Sequence, residues 1–241
     1  MQCDKVIIYD DSCPMCRLYT YGFVMWGLLK PEHRVGFAAA PADLMAKIDL
    51  TRGRHQIPLY DQATGETIYG LEAMTHLLAT RWSWLTPVFN SGPFGWIFQP
   101  TYEVITYNRR VIAGCKHCNG FDCAPDFDRF YRSVYLGLVG FCVFLIAALL
   151  SLSPSVLATI GLGLLGAFVV YGLIAGSIRR VALGSLVGWD FAGSYATTMA
   201  VVSFAIAPCL LIEPALGDVS GWVAVATASL LGVTEIRRRD L

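Results

Sequence analysis

Two cysteines two residues apart, Cys13 and Cys16, stand in the segment YDDSCPMC. A pair with this spacing can hold a metal ion, form a structural disulfide or exchange electrons as a dithiol. A closed zinc site needs a second pair of ligands, and none lies near these cysteines in the sequence. The arginine distribution of the chain predicts that this segment lies in the cytoplasm. Structural disulfides are rare there, so a structural disulfide is disfavoured. The spacing therefore favours a redox dithiol.

The elements around the two cysteines must position the sulfurs. The residues VIIY (6–9) form a β-branched run typical of a buried strand, and apolar residues recur at helical spacing after Cys13. With Cys13 as N-cap, Pro14 occupies the first helical position, where its missing N–H costs nothing. The positive end of the helix dipole then favours a thiolate on Cys13, which we expect to be the exposed, attacking sulfur. Cys16 lies one turn further on, close enough to attack a mixed disulfide on Cys13.

The segments that follow complete an α/β pattern. RVGFAA (34–39) reads as a second strand, and PADLMAKIDL (41–50) begins with the proline and acidic residue typical of a helix N-terminus. Strands at 56–61 and 66–70 flank the turn residues QATG and predict a hairpin, followed by a helix over 71–79. The predicted order is β-α-β-α-β-β-α, with the Cys-x-x-Cys motif at the first strand–helix junction.

This order and motif resemble the thioredoxin fold, and YDDSCPMC resembles more particularly the DCC family of thiol-disulfide oxidoreductases, named for an Asp and two Cys. In this chain those residues are Asp10, Cys13 and Cys16, and YEVITYNRRVIAGC (102–115) is similar to the family's C-terminal helical stretch. The resemblance covers about residues 5–115. It implies a reaction type, thiol-disulfide exchange, but no specific partner. We expect an enzyme that acts on protein or small-molecule disulfides, uses no cofactor and is recycled by an unidentified thiol reductant.

Two further residues, Asp10 and Pro58, can support the dithiol. Thioredoxin-like proteins place a cis-proline opposite the redox motif; by resemblance this is Pro58, with the backbone of Ile57 offered to an extended substrate. Read without the resemblance, Pro58 is a trans-proline at a strand edge. Its position just before the hairpin favours the cis form. Asp10 can take the proton from Cys16 in the second step of the reaction, or it can be a turn or capping aspartate. Both interpretations of Asp10 stay open at this point.

Charge divides the chain into two parts. Residues 1–133 carry 26 charged side chains, 13 of each sign, whereas residues 134–233 carry five. The second part is too apolar for a soluble globule and predicts an all-α transmembrane bundle. Its expected spans, of which the fourth is short, lie at 134–150, 156–177, 193–212 and 219–234.

The arginines predict the orientation of this bundle. Clusters at 129–132, 179–180 and 237–239 all fall on one side of a four-span arrangement. Under the positive-inside rule this side is cytoplasmic, and MQCDKVIIYDD at the N-terminus lacks the basic n-region of a signal peptide. We expect an integral protein of a bacterial inner membrane, with the redox domain and both termini in the cytoplasm. Asp190, near the start of the third span, reads as an interfacial aspartate rather than as a polar site within the bundle.

Three regions are thus expected. Residues 1–80 form a thioredoxin-like redox domain, 81–133 an aromatic-rich helical extension with a Cys-rich linker, and 134–241 the transmembrane domain. Within the extension, WSWLTPVFNSGPFGWIF (82–98) can dock at the membrane interface, where Trp is favoured, or pack on the globule. Docking is the preferred interpretation because the chain is tethered to the membrane.

Three further cysteines, Cys115, Cys118 and Cys123, lie in the linker. They can be reduced loop thiols, or Cys115 and Cys118 can form a second dithiol that relays electrons to the first, with Arg109 and Arg110 nearby to favour thiolate. As a metal site the cluster lacks a suitable fourth ligand, so no metal is expected. Reduced loop thiols are the favoured interpretation.

Two other functions fit the pattern less well. Cys142 and Cys209 could pass electrons across the bilayer, but their expected depths differ by roughly 9 Å along the membrane normal, whereas a disulfide joins Cα atoms within about 7 Å. The chain could also be a non-catalytic membrane scaffold that keeps the fold. A formal net charge of zero gives no indication of nucleic acid as a partner. The expected partners are a disulfide-containing substrate, a thiol reductant and the lipid bilayer.

Overall fold

The computed structural model describes residues 4–114, 125–151, 156–216, 230–232 and 234–235, and for residues 150, 156–162, 164–165 and 206–216 it describes the backbone only. The chain divides into two compact units, Met1–Tyr131 and Arg132–Leu241. The cysteine pair lies in the first unit.

A four-stranded mixed sheet forms the centre of the first unit. Its strands are β1 (Lys5–Tyr9), β2 (Arg34–Gly36), β3 (Pro58–Asp61) and β4 (Thr67–Tyr69). They lie in the order β2-β1-β3-β4, with β1 parallel to β2, β1 antiparallel to β3 and β3 antiparallel to β4. The helices of this unit are α1 (Pro14–Met25), α2 (Ala42–Met45), α3 (Leu50–His55), α4 (Gly70–Arg81), α5 (Thr86–Phe89) and α6 (Gly92–Ala113).

The side chains of β1 pack in two hydrophobic clusters, one on each face of the sheet, because successive strand residues point to opposite faces. Ile7 packs in one cluster with Cys13 and Cys16, whereas Ile8 packs with Phe37 on the opposite face. Both isoleucines are fully buried. The two cysteines therefore belong to the hydrophobic core on one face of the sheet, and α1 carries them there.

The order of these elements agrees with the predicted β-α-β-α-β-β-α pattern, and the differences are local. The second strand ends at Gly36, because the chain turns there into a 3-10 helix that buries Phe37. The helix expected over 41–50 already stops at Met45. A separate helix, α3, follows because the carboxylate of Asp49 accepts hydrogen bonds from the backbone N–H groups of Thr51 at 2.8 Å and Arg52 at 3.1 Å.

Gly70 starts α4 with a left-handed backbone, at φ +67°. A Cβ at this position would lie 3.3 Å from the side chains of Gln56 and Tyr102. We expect Gly70→Ala to lower the free energy of unfolding by about 1–2 kcal/mol, since a left-handed conformation costs that much for a residue with a Cβ. Thermal unfolding of the full chain in detergent measures the change.

Gly22 supplies the matched control for this prediction. It lies in α1, and a Cβ there would meet no atom within 4 Å. Because alanine is the better helix residue by roughly 0.5–1 kcal/mol, Gly22→Ala should raise the stability slightly. An equal loss of stability in the two variants would contradict the conformational argument for Gly70.

The aromatic segment 82–98 is more regular than its prolines and glycines suggest. Ser91 caps α6, and this helix begins within the segment and continues through Pro100. Two tryptophans stay largely exposed, Trp84 at 69% and Trp96 at 80%. Since neither indole packs on the globule, docking of this segment at a membrane interface stays a hypothesis that the exposure supports.

In the second unit the structure describes three long helices: α7 (Arg129–Ser151), which begins at the end of the first unit, α8 (Val156–Leu183) and α9 (Ser185–Leu216). Polar contacts join α7 to α9, where the hydroxyls of Tyr135 and Thr197 lie 2.5 Å apart. Helices α8 and α9 approach closely because Gly172 leaves room for the ring of Tyr195, and a Cβ at this glycine would collide with that ring.

Arg132 makes a second link between α7 and α9. Its guanidinium, 4% exposed, donates to the carbonyl oxygen of Trp189 at 2.8 Å and to the carboxylate of Asp190 at 3.2 Å. Asp190 thus has a basic partner, and its position supports a structural role near the helix end rather than a site within the bundle.

Two segments of the described chain are long and apolar enough to cross a membrane, judged by length and composition: Arg129–Leu149 and Gly166–Leu183. They lie in the helices that contain the first two expected spans. The third expected span, 193–212, lies within α9, and the fourth, 219–234, falls outside the described residues apart from 230–232 and 234. The number of spans therefore stays a prediction.

Candidate functional site

Cys13 lies where the sequence predicts it, at the junction of β1 and α1. It is the N-cap residue of α1, with φ −89° and ψ 114°, and Pro14 takes the first helical position. Its N–H donates to the carbonyl oxygen of Asp10 at 3.3 Å, and its own carbonyl accepts from the N–H of Arg17 at 3.0 Å. The chain therefore turns tightly out of the strand and presents the Cys13 side chain at the N-terminal end of the helix.

Both cysteines are buried, and this overturns the expectation that Cys13 is exposed. Their exposed fractions are 0% for Cys13 and 2% for Cys16, and both are in the dithiol form. The reason is packing: the first turn of α1 lies in the same core cluster as Ile7, Leu77 and Ala113, from β1, α4 and α6. A disulfide partner, which is larger than a water molecule, can reach the sulfur of Cys13 only if this turn or its neighbours move.

The two thiols differ in their protonation. A hydrogen bond to Cys13 raises the pKa of the Cys16 thiol far above its usual range, and burial raises it further. The shift means that Cys16 keeps its proton and donates it toward the sulfur of Cys13. A hydrogen bond from Tyr19 and the charge of Arg109 act in the opposite direction but do not outweigh these effects. This asymmetry suits a pair in which Cys13 reacts first and Cys16 second.

A buried arginine that the sequence analysis assigned elsewhere lies at this site. Arg109, on α6, is 8% exposed, and its guanidinium donates to the carbonyl oxygen of Arg54 at 3.0 Å. Burial opposes its charge, but attraction by Cys16, Asp10 and Cys13, in that order, more than compensates and raises the pKa of Arg109. Because such attraction is mutual, the fixed positive charge favours a thiolate on the dithiol.

The sequence does contain a signal for Arg109. It lies in the stretch 102–115 that resembles the DCC family's helical segment, but its nearest cysteines in the sequence are Cys115 and Cys118, so sequence position alone predicts an effect on those two thiols. Those two residues lie outside the described part of the chain. Only the packing of α6 beside α1 brings the guanidinium to Asp10 and the first cysteine pair.

Asp10 is held by two groups. Its Oδ1 accepts from the backbone N–H of Ser12 at 3.0 Å and from the Ser12 hydroxyl at 2.6 Å, which is an Asx-type turn. Its Oδ2 lies 3.5 Å from the guanidinium of Arg109. The arrangement favours the turn interpretation over that of a proton acceptor for Cys16. The buried carboxylate of Asp10, only 6% exposed, would by itself repel a thiolate on the dithiol. The positive charge of Arg109 offsets this repulsion.

Pro58 is buried at the start of β3, but the expectation of a cis bond is wrong: no cis peptide bond occurs among the described residues. Trans is the more stable form of an X–Pro bond by about 0.5–1 kcal/mol. Pro58 takes it as the first residue of β3, where it pairs with Tyr69 in the regular antiparallel register. The backbone of Ile57 is also occupied. Its N–H donates to the hydroxyl of Tyr102 at 3.4 Å, and its carbonyl accepts from Gly70 at 2.9 Å.

Tyr102 also lines a small cavity. Its volume is about 100 Å³, and it is lined by His55, Gln56, Tyr102, Glu103, Thr106, Tyr107 and Tyr131. Burial, and to a smaller extent the nearby Cys16, raises the pKa of Tyr102. Tyr102 thus lines the cavity and interacts electrostatically with Cys16, and no sequence pattern indicated this cavity.

The remaining cysteines give no second site among the described residues. Cys115, Cys118 and Cys123, expected as a secondary redox cluster or as loop thiols, lie outside the described ranges, so both interpretations stay predictions. Cys142 is a reduced thiol on α7, and Cys209 lies in the part of α9 where only the backbone is described. Within the described residues, no group of three or more His, Cys, Asp or Glu side chains could hold a metal ion.

Comparison of the chain with models of protein families, with curated proteins and with solved structures gave no match.

Proposed function

We propose that the chain is a membrane-anchored thiol-disulfide oxidoreductase with a thioredoxin-like domain, in which Cys13 attacks and Cys16 resolves. The observation that carries this proposal is the Cys16 hydrogen bond to Cys13 at the N-terminus of α1, next to the buried guanidinium of Arg109. Helix dipole and guanidinium both favour a thiolate on the first sulfur. The sheet order β2-β1-β3-β4, with the cysteines after β1, supports the thioredoxin-like assignment.

The reaction proceeds in two balanced steps. The Cys13 thiolate attacks one sulfur of a substrate disulfide, so that a mixed disulfide forms and the first substrate half leaves as a thiolate. Cys16 then gives up its proton, which goes to that leaving thiolate, and attacks the Cys13 sulfur. The second substrate half leaves, two electrons have passed to the substrate, and the protein holds a Cys13–Cys16 disulfide. An external thiol reductant reverses the protein's oxidation.

A direct test uses the full chain, purified in detergent and reduced. Exposure to bis(2-hydroxyethyl) disulfide should produce an intramolecular disulfide that peptide mapping assigns to Cys13 and Cys16, with two thiols released for each such disulfide formed. Addition of dithiothreitol should restore the dithiol. In a scaffold that merely keeps the fold, other cysteines could still exchange with the reagent, but no Cys13–Cys16 disulfide would form, and that result would refute the proposal.

We also propose a membrane location with the redox domain and both termini in the cytoplasm. Support comes from the two apolar segments in α7 and α8 and from the arginine clusters that flank the expected spans. A reporter enzyme that is active only outside the cytoplasm, fused after Leu241, should give no signal in cells. A strong signal would mean an odd number of spans and would remove the short fourth one.

A further inference from the structure

Helix α1, which carries the two cysteines, is apolar on its outer face as well as on its inner face. The inner face buries Cys16 and Phe23. On the outer face, Leu18, Tyr21 and Met25 follow one another at spacings of three and four residues and therefore share one side of the helix. All three are exposed, Leu18 at 74% and Met25 at 70%. A surface helix of a soluble domain is normally polar on this side, so the outer face of α1 indicates a second apolar contact.

The outer face of α1 meets the aromatic segment 82–98. Trp26, the C-cap residue of α1, is exposed, and its ring stands edge-on to that of Trp82 with the ring centroids 5.9 Å apart. Further along the segment, Trp84 and Trp96 are also exposed. The exposed residues of the helix and the segment are together called the apolar surface: Leu18, Tyr21, Met25, Trp26, Trp84 and Trp96.

The stretches that form the apolar surface contain basic residues but no acidic ones. Neither residues 12–31 nor residues 73–102 include an Asp or a Glu. Their basic residues are Arg17, Lys30 and Arg81, of which Arg17 and Arg81 are exposed. A surface that combines exposed aromatic and aliphatic side chains with positive charge is attracted by anionic lipid headgroups and repelled by a second copy of itself.

We propose that the apolar surface docks against the headgroup region of an anionic bilayer, so that the helix carrying the dithiol lies along the lipid; the inference rests on the proposed membrane location. Trp and Tyr rings favour the headgroup level, and leucine and methionine reach the acyl boundary beneath it. The chain itself keeps a bilayer within reach, because the apolar segment Arg129–Leu149 begins at the end of the first unit. Such a covalent link raises the effective concentration of lipid at the domain, so a surface of modest affinity stays docked.

The test attaches a photoreactive group to the apolar surface of the full chain. Leu18, Met25 and Trp96 are replaced, one at a time, by p-benzoylphenylalanine, which forms covalent bonds with neighbouring C–H groups on irradiation. Leu50 is the matched control, because it is an exposed leucine that follows Ile48 of the cluster on the opposite face of the sheet from the cysteines. Each variant is reconstituted in vesicles of phosphatidylcholine with about 30% phosphatidylglycerol, and mass spectrometry of the digest measures lipid adducts.

We expect about tenfold more lipid adduct at positions 18, 25 and 96 than at position 50, because residues of a docked surface reach the acyl boundary. In vesicles of phosphatidylcholine alone, or at about 1 M salt, the adduct at position 18 should fall about fivefold or more, as for the loss of attraction between one or more basic residues and an anionic surface. The replaced side chains are exposed, so the thermal unfolding midpoint in detergent should equal that of the wild type, which shows that each variant is folded.

Removal of the positive charges isolates their contribution. In the double variant Arg17→Gln, Arg81→Gln, the adduct at position 18 in anionic vesicles should fall toward its level in neutral ones. Arg52→Gln is the control, because Arg52 is an exposed arginine on α3, outside the apolar surface, and its replacement should leave the adduct unchanged. An equal loss of adduct in the two variants would contradict the charge argument.

The outcomes separate this inference from the proposed membrane location. If washing at alkaline pH removes the chain from the vesicles, the membrane location fails, and this inference fails with it. If the chain stays in the vesicles but positions 18 and 25 label lipid no more than position 50 does, the location stands and the docking surface is refuted. Adducts that join α1 to a second copy or to another part of the chain would refute it as well. Labelling at position 96 alone would restrict lipid contact to the aromatic segment and overturn the role of α1.

Discussion

In the Cys13→Ser variant, reduction of bis(2-hydroxyethyl) disulfide is expected to fall by about a thousandfold or more, which is the usual consequence of removing a nucleophile. A serine hydroxyl neither ionises near neutral pH nor forms a disulfide. The Cys16→Ser variant should behave differently: it should still attack the substrate but retain one substrate half on Cys13. Intact-mass measurement after exposure to the disulfide distinguishes the two variants.

Cys142→Ser serves as the control for both variants. Cys142 is a reduced thiol on α7, in the second unit, so its replacement removes a sulfur without touching the dithiol. Turnover should stay within about twofold of the wild type. Equal trapping by the Cys13 and Cys16 variants would mean that the assigned roles are wrong, and loss of turnover in Cys142→Ser would point to the transmembrane conduit instead.

The pH dependence of the dithiol gives a further check on these roles. Hydrogen bonding to Cys13 and burial raise the pKa of Cys16, so this thiol stays protonated over the neutral range. Iodoacetamide at pH 7 should therefore label Cys13 first, and more slowly than it labels an exposed cysteine, because the site is buried. Labelling of Cys16 before Cys13, measured by peptide mapping, would contradict the asymmetry.

The parts of the site that could be predicted from the sequence are those that depend on neighbours along the chain. The cap at Cys13, the proline after it and the strand before it all follow from residues 6–16, because capping and strand signals are local. The hairpin of β3 and β4 follows in the same way from its turn residues. For the same reason, the carboxylate cap at Asp49 could have indicated α3.

The parts that escaped prediction depend on contacts between distant segments. Nothing near Cys13 indicates that its sulfur is buried, since the covering residues come from α4 and α6. Arg109 reaches Asp10 from 99 residues further along the chain, and its carbonyl partner, Arg54, lies on α3. Pro58 likewise has its strand partner, Tyr69, eleven residues further along the chain. Sequence periodicity indicates local structure but does not show which residues far apart in the sequence come into contact.

Replacement of Arg109 by methionine is expected to have the second largest effect, on both stability and rate. The change leaves the carboxylate of Asp10, 6% exposed, without its basic partner, and breaking a buried pair in this way costs about 3–5 kcal/mol. It also withdraws the charge that favours a thiolate on the dithiol. We expect turnover at pH 7 to fall about tenfold to a hundredfold, as for the loss of one opposite charge next to an ionising group.

The pH profile shows whether Arg109 acts on the thiolate or only on the fold. Without the guanidinium the dithiol ionises at higher pH, so the rate lost at pH 7 should return as the pH is raised toward 9. A purely structural role would lower the rate equally at every pH. Arg109→Lys keeps the charge and should keep the profile of the wild type, although it loses the fork that reaches both Asp10 and Arg54.

Two comparisons complete this test. Arg17 follows Cys16 directly in the sequence but is exposed, so solvent screens its charge, and Arg17→Met should change the rate less than about twofold. The double variant Asp10→Asn, Arg109→Met removes both charges of the buried pair. It should recover most of the stability, because no unpaired charge stays buried, but not the rate at pH 7, because no cation supports the thiolate. If the rate recovered together with the stability, Arg109 would have only a structural role. The thiolate would then be stabilised by the helix dipole without Arg109.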